Sequence, residues 1–180
     1  FHTPVQAGSD AVLKLMKRKY DTVLFRHKMN KIKSVLPDAF IGVDIIVGTR
    51  GELDEYFEES KAFVESLDIS QLHVFTYSER ANTQALAIDY AVDPRTKQRR
   101  SKALHDVSDI KLLNFYESQK GTSRKVLFEH TQRGEMMHGF TENYIKVCAP
   151  YNPELINSVV DIKVGEYNEE EMAMNAIFVG

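Results

Sequence analysis

Apolar residues recur with two different periods over the first 120 positions. Within Asp10–Tyr20, Val12, Leu13, Met16 and Tyr20 fall at i, i+1, i+4 and i+8, one face of a helix. Ser9 stands where its N-cap belongs. A second helix is predicted from about Asp21 to Val35, with Phe25, Met29, Ile32 and Leu36 at helical spacing and Pro37 ending it. Ala39–Val47, AFIGVDIIV, is instead a nearly continuous apolar run with β-branched residues. Such a run predicts a strand buried on both faces, as in a parallel sheet. Asp44 interrupts it, and a buried carboxylate needs a partner or a function. GTRGE, Gly48–Glu52, reads as a loop. Leu53–Leu67 is amphipathic, with Tyr56, Phe57, Phe63 and Val64 on its stripe. Gln71–Tyr77, QLHVFTY, is a further strand. Asp93-Pro94 opens a long helix to about Tyr116, and Pro94 suits its first turn. Leu104, Val107, Ile110, Leu113, Phe115 and Tyr116 are its expected apolar contacts.

This order of helices and strands predicts an α/β fold, with parallel strands joined by crossover helices. Ligands in such folds sit at the carboxyl ends of the strands. Three loops leave those ends, QAGSD, GTRGE and YSERANT, and are expected to converge on one rim. After Gly121 the pattern changes. RKVLFEH, MHGFTENYIKV, SVVDIKV and MNAIFVG are short β-type runs broken by Gly, Asn, Pro and acidic turns, with NEEE at Asn168–Glu171 as one such turn. They predict a small antiparallel barrel. The expected division is 1–120 and 121–180. FHTPVQAGSD reads as the end of a buried strand and its turn. A strand of that kind needs neighbours, so the chain is expected to come from the interior of a larger protein.

Composition changes this picture little. Hydrophobic residues make 43% and charged residues 27% of the 180 residues, ordinary for a soluble globular protein. No apolar run reaches the roughly 18 residues of a membrane span, and no signal-peptide pattern is visible. The single cysteine, Cys148, excludes an internal disulfide and a cysteine-based metal site. It fits a reducing compartment, so a cytoplasmic location is expected. The net charge of −3 hides two basic clusters, one between Lys14 and Lys33 and one at Arg95, Lys97, Arg99, Arg100 and Lys102. Such clusters can meet phosphates, or simply be solvated helix faces. From Gly121 to Gly180 acidic residues outnumber basic ones.

Several conventional sites are absent. No two of the six histidines stand at i, i+3 or i, i+4 on a helix, and HExxH, GxSxG, P-loop and GxGxxG patterns are missing. The rim loops carry the candidate chemistry. Gln6 and Ser9 offer donors and acceptors for a ribose, and Gly8 allows close backbone approach. Gly48 and Gly51 bracket a tight turn that Glu52 follows. Tyr77, Ser78, Glu79 and Arg80 bring a ring, a hydroxyl, an acid and a guanidinium together. Each loop taken singly is explained as a turn, with Glu52 capping its helix. Three on one rim point to a shared pocket.

HTPVQAGSDAVLKLMKRKY resembles the HxPxQSGSDxVLxxMxRxY segment of the radical S-adenosylmethionine methylthiotransferases. IGVDIIVGTRGELDEYFEES resembles their IGxDxIVGFPGETxExFxxS, and LHVFTYSERANTQA their LHVFxYSxRxGTxA. HGFTENYIKV resembles part of their terminal TRAM domain. The resemblance runs through nearly the whole chain in the correct order. It implies the second half of a TIM-type radical SAM barrel followed by a TRAM, OB-like β-barrel, with FHTPVQ as the strand that follows the absent half. The family attaches a methylthio group to an unactivated carbon of RNA or protein. It uses S-adenosylmethionine and two 4Fe–4S clusters, which need thiolates. With Cys148 alone, no cluster is expected on this chain, and the chain is expected to be inert without the protein's N-terminal domains. The resemblance further implies tRNA as a partner and no membrane.

Residue by residue, the resemblance assigns Gln6, Gly8, Ser9 and Arg18 to the motif nearest the ribose and carboxylate of S-adenosylmethionine. Ile45 to Gly48 (Ile45, Val47 and Gly48 foremost) fall to the adenine side, Phe75 and Tyr77 to the next strand end, and Glu52 is a further cofactor-binding candidate. Ser78 and Arg80, and Phe140, Asn143, Tyr144 and Lys146 in the TRAM-like part, are the substrate candidates. The chain departs from the motifs at Thr49-Arg50 (Phe-Pro in the family), Ala81-Asn82 (Pro-Gly) and Ala7 (Ser). YSER followed by HGFTENYIKV looks most like the branch that acts on threonylcarbamoyladenosine beside the anticodon. The alternatives are the isopentenyladenosine branch, the branch that modifies a ribosomal-protein aspartate, a different TIM-type radical enzyme, and a non-catalytic RNA-binding module.

Overall fold

The computed structural model describes residues 1–178 and, of residues 130–133, the backbone alone. Val179 and Gly180, the end of the last expected strand, and the side chain of His130 lie outside the described residues. The chain divides into two compact units, Phe1–Leu112 and Leu113–Gly180.

The first unit is built on β1 (His2–Gln6), α1 (Asp10–Leu15), α2 (Thr22–Val35), β2 (Gly42–Val47), α3 (Asp54–Glu65), β3 (Gln71–Thr76) and most of α4 (Pro94–Gln119). Its three strands are parallel in the order β1-β2-β3, with Thr3 opposite Val43 and Val43 opposite Leu72. Val43, Ile45 and Val47 point to one face, into a core with Val5, Leu72, Phe25, Phe63 and Leu104. The helices thus cover one face only. Asp44, Ile46, His73 and Phe75 occupy the alternate positions and are partly or largely exposed. The expectation of a β2 buried on both faces is therefore corrected. Asp44 finds its partner on this second face: its Oδ1 lies 2.5 Å from His2 Nε2, and the His2 ring stands 4.7 Å from that of His73.

Helix ends follow local chemistry. α1 stops at Leu15, short of the predicted Tyr20, and Lys17 adopts a φ of +55° just beyond it. Asp21 caps α2 by accepting from the Leu24 N–H at 2.8 Å. Ser9 holds the N-cap backbone position of α1, but its hydroxyl makes no cap bond. Of the apolar residues expected to pack from α4, Ile110 and Leu113 are exposed.

The second unit is a closed barrel of β4 (Ser123–Arg133), β5 (Met136–Thr141), β6 (Lys146–Pro150), β7 (Val159–Asn168) and β8 (Ala173–Phe178), in the order β4-β5-β6-β8-β7. Val126, Phe128, Met137, Ile145, Val147 and Ile162 are fully buried in it. The run MHGFTENYIKV is two strands, turned at Tyr144 with a φ of +69°. One pair, β6–β8, is parallel, with Val147 opposite Met174. The expected all-antiparallel barrel is thus mixed, for a geometric reason. Around a ring with an odd number of strands, directions cannot alternate throughout. No helix among the described residues is long and apolar enough to cross a membrane.

Candidate functional site at the strand ends

The loops after β1, β2 and β3 meet at the carboxyl ends of the parallel sheet. Gln6 has a φ of +68°, and its Oε1 accepts from Arg18 Nη2 at 2.8 Å. Two residues assigned to one ligand group are therefore held together. Gly8 and Ser9 serve a different purpose. The Gly8 N–H donates to Ser60 Oγ at 3.1 Å, and a Cβ on Gly8 would fall 2.7 Å from the Ser60 carbonyl oxygen. Ser9 Oγ donates to Glu59 at 2.6 Å and the residue is buried. Both are seated against α3, and the close approach that requires a glycine is to a helix backbone.

In the second loop Glu52 is 1% exposed and Arg100 of α4 is 0% exposed. Arg100 Nη1 donates to Glu52 Oε2 at 2.8 Å and to the Glu52 carbonyl at 2.9 Å, while Nη2 donates to Asp54 Oδ1 at 2.7 Å. The Phe57 ring lies 5.2 Å from the guanidinium. Glu52 Oε2 also accepts from the Gly48 N–H at 2.7 Å. Glu52 is thus neither a helix cap nor a rim acid; Leu53 is the N-cap of α3. It is one half of a buried ion pair that fixes the loop. Burial pushes its carboxyl above the usual range, against the Gly48 N–H and Arg100, which favour the carboxylate. On the other side of Arg100, the guanidinium holds Asp54 below the usual range, chiefly by hydrogen bonding.

The third loop is tied to the second. Tyr77 N–H donates to the Val47 carbonyl at 2.9 Å, and Arg50 donates to Glu79 at 2.7 Å and to the Ile88 carbonyl at 2.9 Å. Lys97 Nζ donates to the Tyr77 carbonyl at 3.1 Å and lies 5.3 Å from the centre of its ring. A cleft of about 400 Å³ opens beside Ile46, Phe75, Tyr77, Ser78, Arg80 and Thr83. Of the stretch Ile45 to Gly48, assigned to the adenine side, Ile45 and Val47 turn their side chains into the core and Ile46 lines the cleft. Strand alternation separates them in the structure. Asn82 stands where the family motif has Gly and takes a φ of +61°, a conformation Asn accepts more readily than most residues.

The second basic cluster is largely committed to structure. Besides Arg100 and Lys97, Arg99 lies 3.5 Å from Asp54 and Lys102 2.8 Å from Asp106. In the Lys14–Lys33 cluster, Arg26 donates to Ser66 Oγ and Lys33 to the Ala39 carbonyl, while Lys14, Lys19, Lys28 and Lys31 are exposed.

Of the four candidates in the small barrel, Phe140 and Tyr144 are brought together. Their rings stack with centres 5.0 Å apart, and Tyr144 is exposed. Asn143 accepts from Thr141 Oγ1 and donates to Gln119 Oε1, and Lys146 Nζ donates to the Glu171 carbonyl at 2.9 Å. Asn143 is thus tied to the end of α4 and Lys146 to the turn between β7 and β8. Cys148 is fully buried, with its sulfur 3.5 Å from Asn175 Oδ1. Among the described residues no group of three or more His, Cys, Asp or Glu is placed to hold a metal ion. A 4Fe–4S cluster takes three or four thiolates, so it does not fit this chain's own donors.

No protein-family model matches the chain. Curated relatives do. The threonylcarbamoyladenosine tRNA methylthiotransferase MtaB of Bacillus subtilis is 37% identical over 91% of this chain and 37% of its own length. The tRNA-2-methylthio-N(6)-dimethylallyladenosine synthase of Methylococcus capsulatus is 36% identical over 92% of this chain and 36% of its own length. A synthase of the same name from Xanthomonas euvesicatoria is 35% identical over 92% of the chain and 34% of its own length. The chain therefore spans about a third of the length of these relatives, and along that stretch it is homologous to tRNA methylthiotransferases.

Proposed function

We propose that this chain is part of a radical S-adenosylmethionine enzyme that adds a methylthio group to carbon two of threonylcarbamoyladenosine beside the anticodon of tRNA. The observation that carries the reading is the cleft at the strand ends, where apolar Ile46 and Phe75 adjoin the polar Ser78 and Arg80. Bound S-adenosylmethionine supplies the radical that activates the unreactive carbon. The chain's own part is to bind, orient and exclude water. Ile46 and Phe75 suit the flat adenine, and the paired Gln6 and Arg18 suit the ribose and carboxylate. Arg80 offers a bidentate guanidinium to the threonyl carboxylate of the substrate base. The stacked Phe140–Tyr144 pair offers a platform for an unstacked base. Phosphate contacts then fall to exposed lysines between Lys14 and Lys31, because the barrel segment is acidic. The clusters belong to the remainder of the protein, and this stretch is inert by itself. Iron and sulfide reconstitution that placed a stoichiometric cluster on it would overturn that point.

The test is nucleoside mass spectrometry of total tRNA from cells lacking the parent gene. The expected result is loss of the methylthio form of threonylcarbamoyladenosine with accumulation of its precursor. Loss of the methylthio form of dimethylallyladenosine instead moves the protein to the other branch, whose enzymes are its relatives at 36% and 35% identity. An unchanged profile of both nucleosides would overturn the tRNA reading. In the whole enzyme, Arg80→Ala is expected to lower activity, and undiminished turnover removes Arg80 from the site.

A further inference from the structure

Tyr77 and Ala85 also line a second cleft, of about 300 Å³, of whose lining the reading above uses only Arg18. Its apolar walls are Leu15, Met16 and Ile88. Lys17, Arg18 and Arg50 stand around it; Arg18 is held by Gln6 and Arg50 is paired with Glu79 at 2.7 Å. Lys17 Nζ lies 2.5 Å from Gln84 Oε1, both residues belonging to the lining. Thr49 lines the same cleft. It is 5% exposed, and its Oγ1 is buried without a hydrogen-bond partner. A buried hydroxyl left unpaired costs stability, so it calls for an explanation.

The two polar residues of this wall, Thr49 and Arg50, are those at which the chain departs from the Phe-Pro of the family motif. Neither Phe nor Pro offers a side-chain hydrogen bond, so the polar lining is a property of this chain and not of the motif. The glycines on either side hold the loop in place. Gly48 and Gly51 have φ values of +75° and +79°, and a Cβ on Gly51 would fall 2.5 Å from Leu15 Cδ1.

We infer that this cleft binds a nucleoside monophosphate unit of single-stranded RNA, a nucleotide flanking the modified base; the inference rests on the tRNA reading above. A free phosphate would satisfy the cations but leave the apolar walls wet. A purely apolar group would leave Thr49 unpaired. A base on Leu15, Met16 and Ile88, with its phosphate at Lys17 and Arg50 and one polar edge on Thr49 Oγ1, satisfies all three. Recognition of splayed bases with backbone phosphates held by cations is the common mode for single-stranded RNA.

The test is titration of AMP into this chain, followed by the Met16 methyl resonance, with adenosine, inorganic phosphate and S-adenosylmethionine as parallel probes. AMP is expected to shift Met16 saturably, less so as salt rises. Adenosine and phosphate are expected to bind at least about tenfold more weakly, and S-adenosylmethionine not to displace AMP. Thr49→Val, nearly isosteric, is expected to raise the melting temperature of the free chain and to weaken AMP about fivefold, the worth of one hydrogen bond. The double variant Thr49→Phe/Arg50→Pro, which restores the family's residues, is expected to abolish binding. No saturable shift at Met16, adenosine equal to AMP, displacement of AMP by S-adenosylmethionine, or unchanged affinity in Thr49→Val would each overturn the inference. Those results leave the nucleoside profile of gene-deleted cells untouched, and that profile leaves them untouched in turn.

Discussion

In the small barrel each of the five strands has a hydrogen-bonded neighbour on both sides, and ion pairs such as Lys125–Asp161, at 3.0 Å, join neighbouring strands. The parallel sheet is different. Among the described residues β1 and β3 have a neighbour on one side only, and His2, Asp44, Ile46 and Phe75 lie on a face that no helix covers. A closed barrel removes its edges. An open sheet must hold its loops by other means, and the Glu52–Arg100 pair is that means here. The comparison teaches where to look for chemistry. At the ends of the parallel strands a cleft lined by Ser78 and Arg80 stays open to a ligand.

The largest expected effect breaks the sheet side of this comparison. Arg100→Leu leaves the Glu52 carboxylate buried without its cation and is expected to cost about 3–5 kcal/mol. Hydrogen exchange of the Gly48 and β2 amides, read against those of Val126 and Ile145 in the barrel, measures it locally. Protection is expected to fall in the sheet and to stay unchanged in the barrel. Equal loss in both would show that the two units unfold together. Adding Glu52→Gln to Arg100→Leu is expected to recover part of the loss, because the uncompensated charge is then gone.

A smaller pair of substitutions sharpens the comparison by making the same change in each unit. A Cβ on Gly139 would fall 2.3 Å from the Leu127 carbonyl oxygen, inside the barrel ladder, and one on Gly8 2.7 Å from the Ser60 carbonyl oxygen. Both contacts are with backbone, which yields poorly. Gly139→Ala and Gly8→Ala are each expected to destabilise by about 1–3 kcal/mol, within the range of overpacking. Gly139→Ala is expected to be the worse, since a closed ladder has less freedom to shift than a helix packed on a loop. Urea unfolding of both variants, followed in each unit, checks the order.

Much of this architecture was legible in the residues. The strand AFIGVDIIV, the stripe of α3 and the change of period after Gly121 all follow from side-chain periodicity, which local sequence carries directly. The convergence of three loops followed from topology. What could not be read was which side of a strand each residue takes. A continuous apolar run concealed the alternation that sends Ile45 and Val47 inward and Ile46 outward. Arg100, one of five residues in an apparent phosphate-binding cluster, is a buried structural cation whose partner lies 48 positions away. Long-range pairs of that kind leave no local trace. The Phe140–Tyr144 stack was within reach, because a turn between two strands brings residues four apart together, whereas Asn143 and Lys146 are occupied by partners that sequence does not announce.

The smallest expected effect concerns the two carboxyls that share Arg100, and their signs are opposite. Asp54 titrates below its ordinary value of 3.8 in the folded chain, first through its hydrogen bond to Arg100. The folded state therefore binds fewer protons than the unfolded chain across that window. Asp54 contributes stability that is present above the unfolded value and is lost as pH falls through the folded one. Glu52 titrates above its ordinary value of 4.5 because it is buried. Its folded form keeps a proton that the unfolded chain has lost, so its contribution is present below the unfolded value and is lost as pH rises through the folded one. Asp54→Asn is expected to flatten the acid limb of the unfolding midpoint measured between about pH 2 and pH 5. Glu52→Gln is expected to steepen it, because the opposing contribution is gone. Asp54 is exposed at the mouth of the network, so its effect shrinks with added salt, while that of Glu52, sealed beneath Arg100, persists. A salt series on the two variants thus separates the rim of the open sheet from its interior, and a midpoint that responds equally to salt in both would place Glu52 in contact with solvent.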